Sequence, residues 1–433
     1  MKNIGNPNGI IDVMKRAAAG EAVTIGFLGG SITQGAVVSD EALCYAARVF
    51  AWWKKTFQGA DVKYVNAGIG ATTSQFGVAR ADDDLLKYEP DFIIVEYSVN
   101  DNDEKPYERE EFFRETYEGL IRKLLSYRSS KGYSPALLIV HSVRYDDGGN
   151  MEDVHSEIGR YYGIPCISMK ELIYDKVRRG ETDYCFEDIT GDMLHPNDRG
   201  HGIVAGHITD YLESIRKLVR TGETGADGND GTKSDRACSI AYGSGVTENC
   251  YQNIYRYNAF NSKPVMNGFF ADDSPVMEPF VIDTGNVGDS PVIQPFVTDA
   301  GMAGSTDTYV DMVLGSEVRD VFKNGWKARE TGATISFEFT GGELAVMYRK
   351  SVKKPAPVAY AVIDGDEEQR IELDANFDED WGDKAYITTL VHHGIVNGAA
   401  RLKEMDKHTL VITIGQSEGC VTDFYLINIL CRP

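Results

Sequence analysis

Four short stretches of this chain hold residue types that can act together on a carbonyl carbon. Gly29-Gly30-Ser31-Ile32-Thr33 offers a hydroxyl on a glycine turn, and Asp192-Met193-Leu194-His195-Pro196 offers an imidazole with a carboxylate three residues before it. A serine hydroxyl becomes a good nucleophile only when a base takes its proton. That base in turn needs a carboxylate to hold its tautomer and stabilise the imidazolium. Between these two stretches lie Asn66-Ala67-Gly68-Ile69-Gly70-Ala71-Thr72-Thr73 and Ser98-Val99-Asn100-Asp101. A glycine backbone N–H and an Asn side-chain amide are donors suited to a developing oxyanion. Taken singly, each stretch has a plainer reading as a steric turn glycine, a helix-capping Asn or a loop histidine. A phosphate-cradling reading of the first stretch lacks the GxxxxGK[ST] pattern and a second GxG followed by a ribose-binding acid.

The elements around these stretches place all four on one rim. From Ala22 to about Leu218, short apolar runs alternate with longer segments of helical period, the pattern of βα units around a parallel sheet. Strands are expected at Val23–Leu28, Val62–Asn66, Phe92–Tyr97, Ala136–Val143 and Ile164–Ser168, each nearly continuous in apolar character. Helices are expected at Ala42–Phe57, Gln75–Leu86, Arg109–Tyr127, Glu152–Tyr162 and Arg199–Arg220. Ser31, Gly70 and Asn100 then follow the first three strands, at the carboxyl ends where open α/β sheets bind ligands. Pro196 holds His195 out of helix, so Asp192 and His195 share a loop that can face the same rim.

In this order and at these positions the four blocks resemble the SGNH, or GDSL-like, hydrolase family. The family's Ser, Gly, Asn and His match Ser31, Gly70, Asn100 and His195, with Asp192 in the acidic place of the fourth block, over about residues 20–218. The resemblance implies a three-layer, flavodoxin-like α/β domain performing two-step ester hydrolysis. In that scheme Ser31, Asp192 and His195 are catalytic, and the Ser31 N–H, Gly70 N–H and Asn100 amide form the oxyanion hole. It also implies that no metal or organic cofactor is required. Two points depart from the pattern. Gly30 stands where many members have Asp, and Gly68 is an alternative to Gly70 as donor.

A linker is expected over 221–236, where TGETGADGNDGTKSDR has no apolar residue longer than alanine. It separates a catalytic domain at 1–220 from an all-β sandwich at 237–433, whose strands read TISFEFTG, LAVMYRK, AYAVID, HTLVITI and FYLINIL. Within this second part SPVMEPFVIDTG (274–285) recurs as SPVIQPFVTDAG (290–301), expected as paired strand-loop units at the sandwich edge or an extended excursion. An SGNH-type domain joined to a sandwich resembles several bacterial carbohydrate acetylesterases. The expected substrate is therefore an acetylated plant-type oligosaccharide or related sugar. Trp326, Trp381 and Tyr386 are candidates to stack on sugar rings, with a core aromatic the plainer role for each, and Gly30, Arg144 and Trp381 to contact substrate, with a surface salt bridge the plainer role for Arg144. A lipase or lysophospholipase would call for an exposed apolar lid, and no long apolar loop flanks the blocks. A non-catalytic sugar-binding protein would have no need of Ser31, Asp192 and His195 together.

Composition narrows the partners. With 66 acidic against 44 basic residues the chain carries a formal charge of −22, which repels polyanions and leaves no basic footprint for nucleic acid or anionic membrane. The first residues lack the apolar run of a secretory leader, so a cytoplasmic location is expected. Cys44, Cys166, Cys185, Cys238, Cys250, Cys420 and Cys431 form no CxxC or Cys/His spacing and read as reduced thiols. Glu96 reads as a buried, hydrogen-bonded acid near the site. His201, His207, His392 and His393 have no acid or Cys at ligand spacing and read as surface or packing residues, with no metal expected.

Overall fold

A computed structural model describes residues 5–104, 109–221, 245–248, 250–273, 280–282, 321–403 and 406–432. Contacts divide the chain into two units, the first holding the α/β sheet and the second starting at Cys250. The expected linker at 221–236 and the start of the sandwich at 237 fall almost wholly outside the described residues.

In the first unit, β1 (Val23–Gly29), β2 (Val62–Gly68), β3 (Phe92–Glu96), β4 (Ala136–His141) and β5 (Cys166–Ser168) pair in parallel in the order β5-β4-β3-β1-β2. This is the flavodoxin-like order, in which the chain reverses direction across the sheet between β1 and β3 and opens a crevice at their carboxyl ends. Gly29 is level with both Gly68 and Glu96, so the three strands end together. β5 begins at Cys166 rather than Ile164, because Pro165 lacks the N–H a ladder position needs.

Helices cover both faces. Val23, Ile25 and Phe27 of β1 share a core with Tyr45, Val49 and Trp53 of α3 (Tyr45–Thr56) and with Ile208, Leu212 and Ile215 of the closing helix, Asp198–Thr221. A helix at Asn8–Ala18, α1, completes that layer by burying Ile10, Val13, Met14 and Ala17, an i, i+3, i+4, i+7 stripe. On the other face lie α4 (Ser74–Asp84), α6 (Arg109–Ser126) and α7 (Glu152–Tyr162). The third of these approaches closely at Gly159, where a Cβ would lie 2.6 Å from Cys166 Sγ and 3.2 Å from Ile139.

Two features extend this unit beyond residue 221. Val246 and Thr247 donate their N–H groups to the Glu118 carboxylate of α6, each at 2.7 Å. Phe280–Ile282 adds antiparallel to the free edge of β2. That strand lies within the first copy of the duplicated segment, and its three described residues join the α/β sheet rather than the sandwich edge. The second copy, 290–301, lies outside the described residues.

The second unit is two antiparallel sheets over one apolar core. One holds 358–363, 407–416 and 334–340 in sequence, flanked by 371–374 and 265–267; the other holds 384–392, 344–350, 424–431 and 326–328 with shorter strands at its margins. Alternation drives the packing. Along Thr334–Thr340, Ile335, Phe337 and Phe339 point inward while Thr334, Ser336, Glu338 and Thr340 point outward. Among the described residues no helix is long and apolar enough to cross a membrane.

Candidate active site

Ser31 opens a one-turn helix, α2 (Ser31–Gln34), directly after β1. As the first helical residue its N–H has no acceptor within the helix, which leaves that donor for a group above the rim. The turn is held from below. Thr33 Oγ1 lies 2.8 Å from Tyr45 Oη and donates to Glu96 Oε2 at 3.4 Å, while Asn66 Nδ2 donates to the Thr33 carbonyl at 2.9 Å. A Cβ at Gly68 would fall 2.2 Å from the Gln34 nitrogen, so only glycine lets β2 pass beneath α2.

Residue 195 arrives on a loop bent by its own carboxylate. Asp192 Oδ1 accepts the N–H groups of Leu194 at 2.9 Å and His195 at 2.7 Å, and Met193 takes a left-handed φ of 62° within the turn. The Met193 carbonyl accepts from the Tyr145 N–H at 2.8 Å, which fastens the loop to the end of β4. This leaves Asp192 Oδ2 2.6 Å from His195 Nδ1, and His195 Nε2 2.8 Å from Ser31 Oγ. Two residues 164 positions apart thus share a hydrogen bond. Nδ1–H donating to Asp192 leaves the Nε2 lone pair to take the serine proton.

Asn100 sits on a second short helix, α5 (Ser98–Asp103), after β3. Its amide lies over Gly30, where a Cβ would fall only 1.9 Å from Asn100 Oδ1. Next to it, Asp101 is fully buried and anchors the turn. It accepts the Ser74 N–H at 2.8 Å through Oδ1 and lies 3.0 Å from His155 Nε2 through Oδ2. Burial holds Asp101 protonated up to about pH 8 and keeps His155 neutral down to about pH 3. Glu96, also buried, is raised to about 8 by desolvation and by the neighbouring Asp101. These acids support the rim from beneath rather than face it.

The two glycine candidates differ in what their N–H groups meet. That of Gly68 is taken by Asn66 Oδ1 of its own strand at 2.9 Å. That of Gly70 donates to the Gln34 side-chain carbonyl at 2.6 Å, an acceptor on a side chain that can rotate. Ser31, His195, Asp192, Asn100, Gly30 and Gly70 are therefore gathered at one end of the sheet.

Arg144 takes the salt-bridge role weighed for it beside a substrate contact. Its guanidinium is engaged by Asp103 at 2.9 Å and by Asp146 at 2.8 Å, which ties the end of β4 to the end of α5. In the second unit Trp326 is wholly buried against Phe337, a core residue and not a stacking platform. Trp381 is half-buried and edge-on to Phe377, and Tyr386 lies beneath the ammonium of Lys350. His201 is buried, accepts the Tyr45 N–H through Nδ1 at 3.2 Å, and stacks on the Tyr45 ring.

Several supporting residues escaped the sequence reading. Asn66, at the end of the second expected strand, and Asp101, beside Asn100, lie inside the four blocks, but nothing local marks them as anchors. Thr33 and Gln34 follow the nucleophile by two and three positions, a spacing that returns them to the same helical turn.

Residues 27–203 match the GDSL-like lipase/acylhydrolase family. No curated protein matches. Two crystal structures of a two-domain esterase active on acetylated mannans, one co-crystallised with mannopentaose, are each 39% identical to this chain. They cover 99% of it, with 95% and 96% of their own chains matched and TM-scores of 0.77 and 0.78. The protein is accordingly a carboxylic ester hydrolase, and it belongs to the GDSL-like acylhydrolase family.

Proposed function

We propose that this enzyme removes acetyl groups from mannan-type oligosaccharides through an acyl-enzyme on Ser31. The observation that carries the reading is the relay from Asp192 to His195 to Ser31, at 2.6 and 2.8 Å. His195 takes the Ser31 proton as Oγ attacks the acetyl carbonyl carbon, and Asp192 stabilises the imidazolium. The resulting oxyanion accepts hydrogen bonds from the Ser31 N–H, the Gly70 N–H and the Asn100 amide. As the intermediate collapses, the acyl C–O bond to the sugar breaks and His195 gives its proton to the departing sugar oxygen, which leaves as a hydroxyl. In the second step His195 removes a proton from water as the water oxygen attacks the acyl carbon; the bond to Ser31 Oγ then breaks, His195 returns the proton to Oγ, and acetate leaves. No step in this sequence calls on a metal or organic cofactor.

Mannan is favoured over other acetylated sugars by the esterase relatives, whose likeness runs through both units. The acidic charge of the chain suits a neutral polysaccharide. The test is acetate release, followed by NMR, from acetylated mannan, acetylated xylan and acetylated sialic acid. Mannan should be consumed fastest, and Ser31→Ala should release none. Equal rates on all three would remove the mannan assignment, while wild-type turnover of p-nitrophenyl acetate by Ser31→Ala would remove the nucleophile.

A further inference from the structure

A cluster of metal-binding residue types away from the catalytic blocks lies in the sandwich, built by strand register. Tyr255–Tyr257 pairs with 424–431, which pairs with 344–350, which pairs with 384–392. This brings Cys250, just before the first of these strands, to the same end of the sheet as Glu343 and His392. The Arg432 guanidinium holds the Cys250 carbonyl at 3.0 Å. His392 and Ile395 pair across a two-residue hairpin turn at His393-Gly394, where φ is 51° and 71°. Such a turn favours Asn-Gly, so histidine here is a costly choice for folding alone. Its left-handed backbone also breaks the alternation of the strand. Adjacent histidines would otherwise face opposite sides, yet their rings lie 4.2 Å apart.

Ligand atoms of Cys250, His392 and His393 all lie within 4.8 Å of one another. Around a tetrahedral zinc ion, with bonds of about 2.0–2.3 Å, such atoms stand about 3.3–3.6 Å apart, a distance that small side-chain rotations cover. The buried Glu343 supplies the outer layer. Its Oε2 lies 3.0 Å from His392 Nδ1, and its Oε1 accepts the His393 N–H at 2.8 Å. Nδ1–H donating to that carboxylate leaves Nε2 of His392 as the lone pair, the orientation that carboxylates impose on metal-binding histidines. A cysteine nucleophile activated by one histidine would have no use for the second ring. Thiolate with two imidazoles is instead a donor set for a borderline divalent ion and not for calcium or magnesium.

We propose that Cys250, His392 and His393 bind a zinc-class divalent cation, with Glu343 fixing His392 and a fourth donor closing the tetrahedron. On binding, the Cys250 thiol proton passes to solvent and the thiolate ligates the ion, so affinity rises with pH. This site is independent of the esterase assignment. It differs from the sequence expectation because Cys250 stands 142 positions from His392, and only the sheet register unites them.

The test is titration of the chelator-treated full chain with cobalt(II). A thiolate-to-cobalt charge-transfer band with tetrahedral d–d bands should saturate at one equivalent and be displaced by zinc. Cys250→Ser should abolish the charge-transfer band, and Glu343→Gln should weaken binding about 10- to 100-fold. Wild-type protein with native circular dichroism and no thiolate band at excess cobalt would overturn the proposal. So would a band that persists unchanged in folded Cys250→Ser. Should that variant fail to fold, His392→Asn and His393→Asn provide the same comparison through the d–d bands.

Discussion

Gly30 and Asn100 occupy one another's space: a Cβ on the glycine would fall 1.9 Å from the Asn100 amide oxygen. The absence of a side chain at position 30 thus lets the amide of Asn100 lie against the backbone one residue before Ser31. Gly30→Ala is expected to turn that amide aside and lower kcat on p-nitrophenyl acetate by about 10- to 1,000-fold, as the loss of one oxyanion donor does. KM should change little. In an Asn100→Ala background the same substitution should add almost nothing, because the group it displaces is gone. Fully additive losses would disconnect the two residues.

Gly70 and Gln34 give a second check on the oxyanion hole. The Gly70 N–H donates to Gln34 Oε1 at 2.6 Å, so a substrate oxygen that takes this donor must displace the Gln34 side chain. Removing that competitor should leave kcat of Gln34→Ala within about threefold of wild type and tighten inhibition by a boronic acid that mimics the tetrahedral intermediate. Thermal unfolding of the variant guards against a collapsed α2. A loss of 100-fold or more in a folded Gln34→Ala would assign this side chain to shaping the site and take the donor role from Gly70.

Asp192 has two separable tasks, since Oδ2 faces the imidazole and Oδ1 bends the loop through the Leu194 and His195 N–H groups. Asp192→Asn keeps an acceptor for the loop but loses the charge that favours the imidazolium. Its melting temperature should stay near wild type while kcat falls by about 100- to 10,000-fold. Asp192→Ala should lose both rate and melting temperature, because the two N–H groups lose their acceptor. Equal melting temperatures for the two variants would mean that the loop is held by Tyr145 alone.

The parallel strands were legible because continuous apolar runs such as Phe92–Glu96 admit few other roles in a chain of this period. The four blocks were legible because strand ends are where an α/β sheet exposes loops. What stayed hidden depends on contacts between distant positions. Asp101 is one more polar residue after a strand until the fold sets it against Ser74 and His155. Phe280–Ile282 reads like its downstream copy and joins β2 only through the tertiary fold. A salt bridge was foreseeable for Arg144 near the rim, while its partners Asp103 and Asp146 are distinguishable only by geometry. Helix α1 is a different case: its apolar stripe was present in the sequence but lies ahead of the first strand, outside the βα rhythm.

Glu96 and Asp101 also set a stability slope. Both hold their protons to about pH 8 in the folded chain, against ordinary values of 4.5 and 3.8. Between those limits the folded state binds more protons than the unfolded state, so each group's contribution is fully present at low pH and is lost as pH rises to about 8. His155 works in the opposite sense. Lowered from 6.5 to about 3, it costs stability only as pH falls through that interval. Above pH 6.5 the two carboxyl groups therefore act without its opposition. Urea unfolding of the wild type should show stability falling from pH 6.5 to 8, by on the order of 1 kcal/mol per pH unit for each acid. Glu96→Gln and Asp101→Asn cannot ionise and should each flatten that fall by about half. An unchanged slope in both variants would mean that the two acids are already ionised in the folded protein near neutral pH.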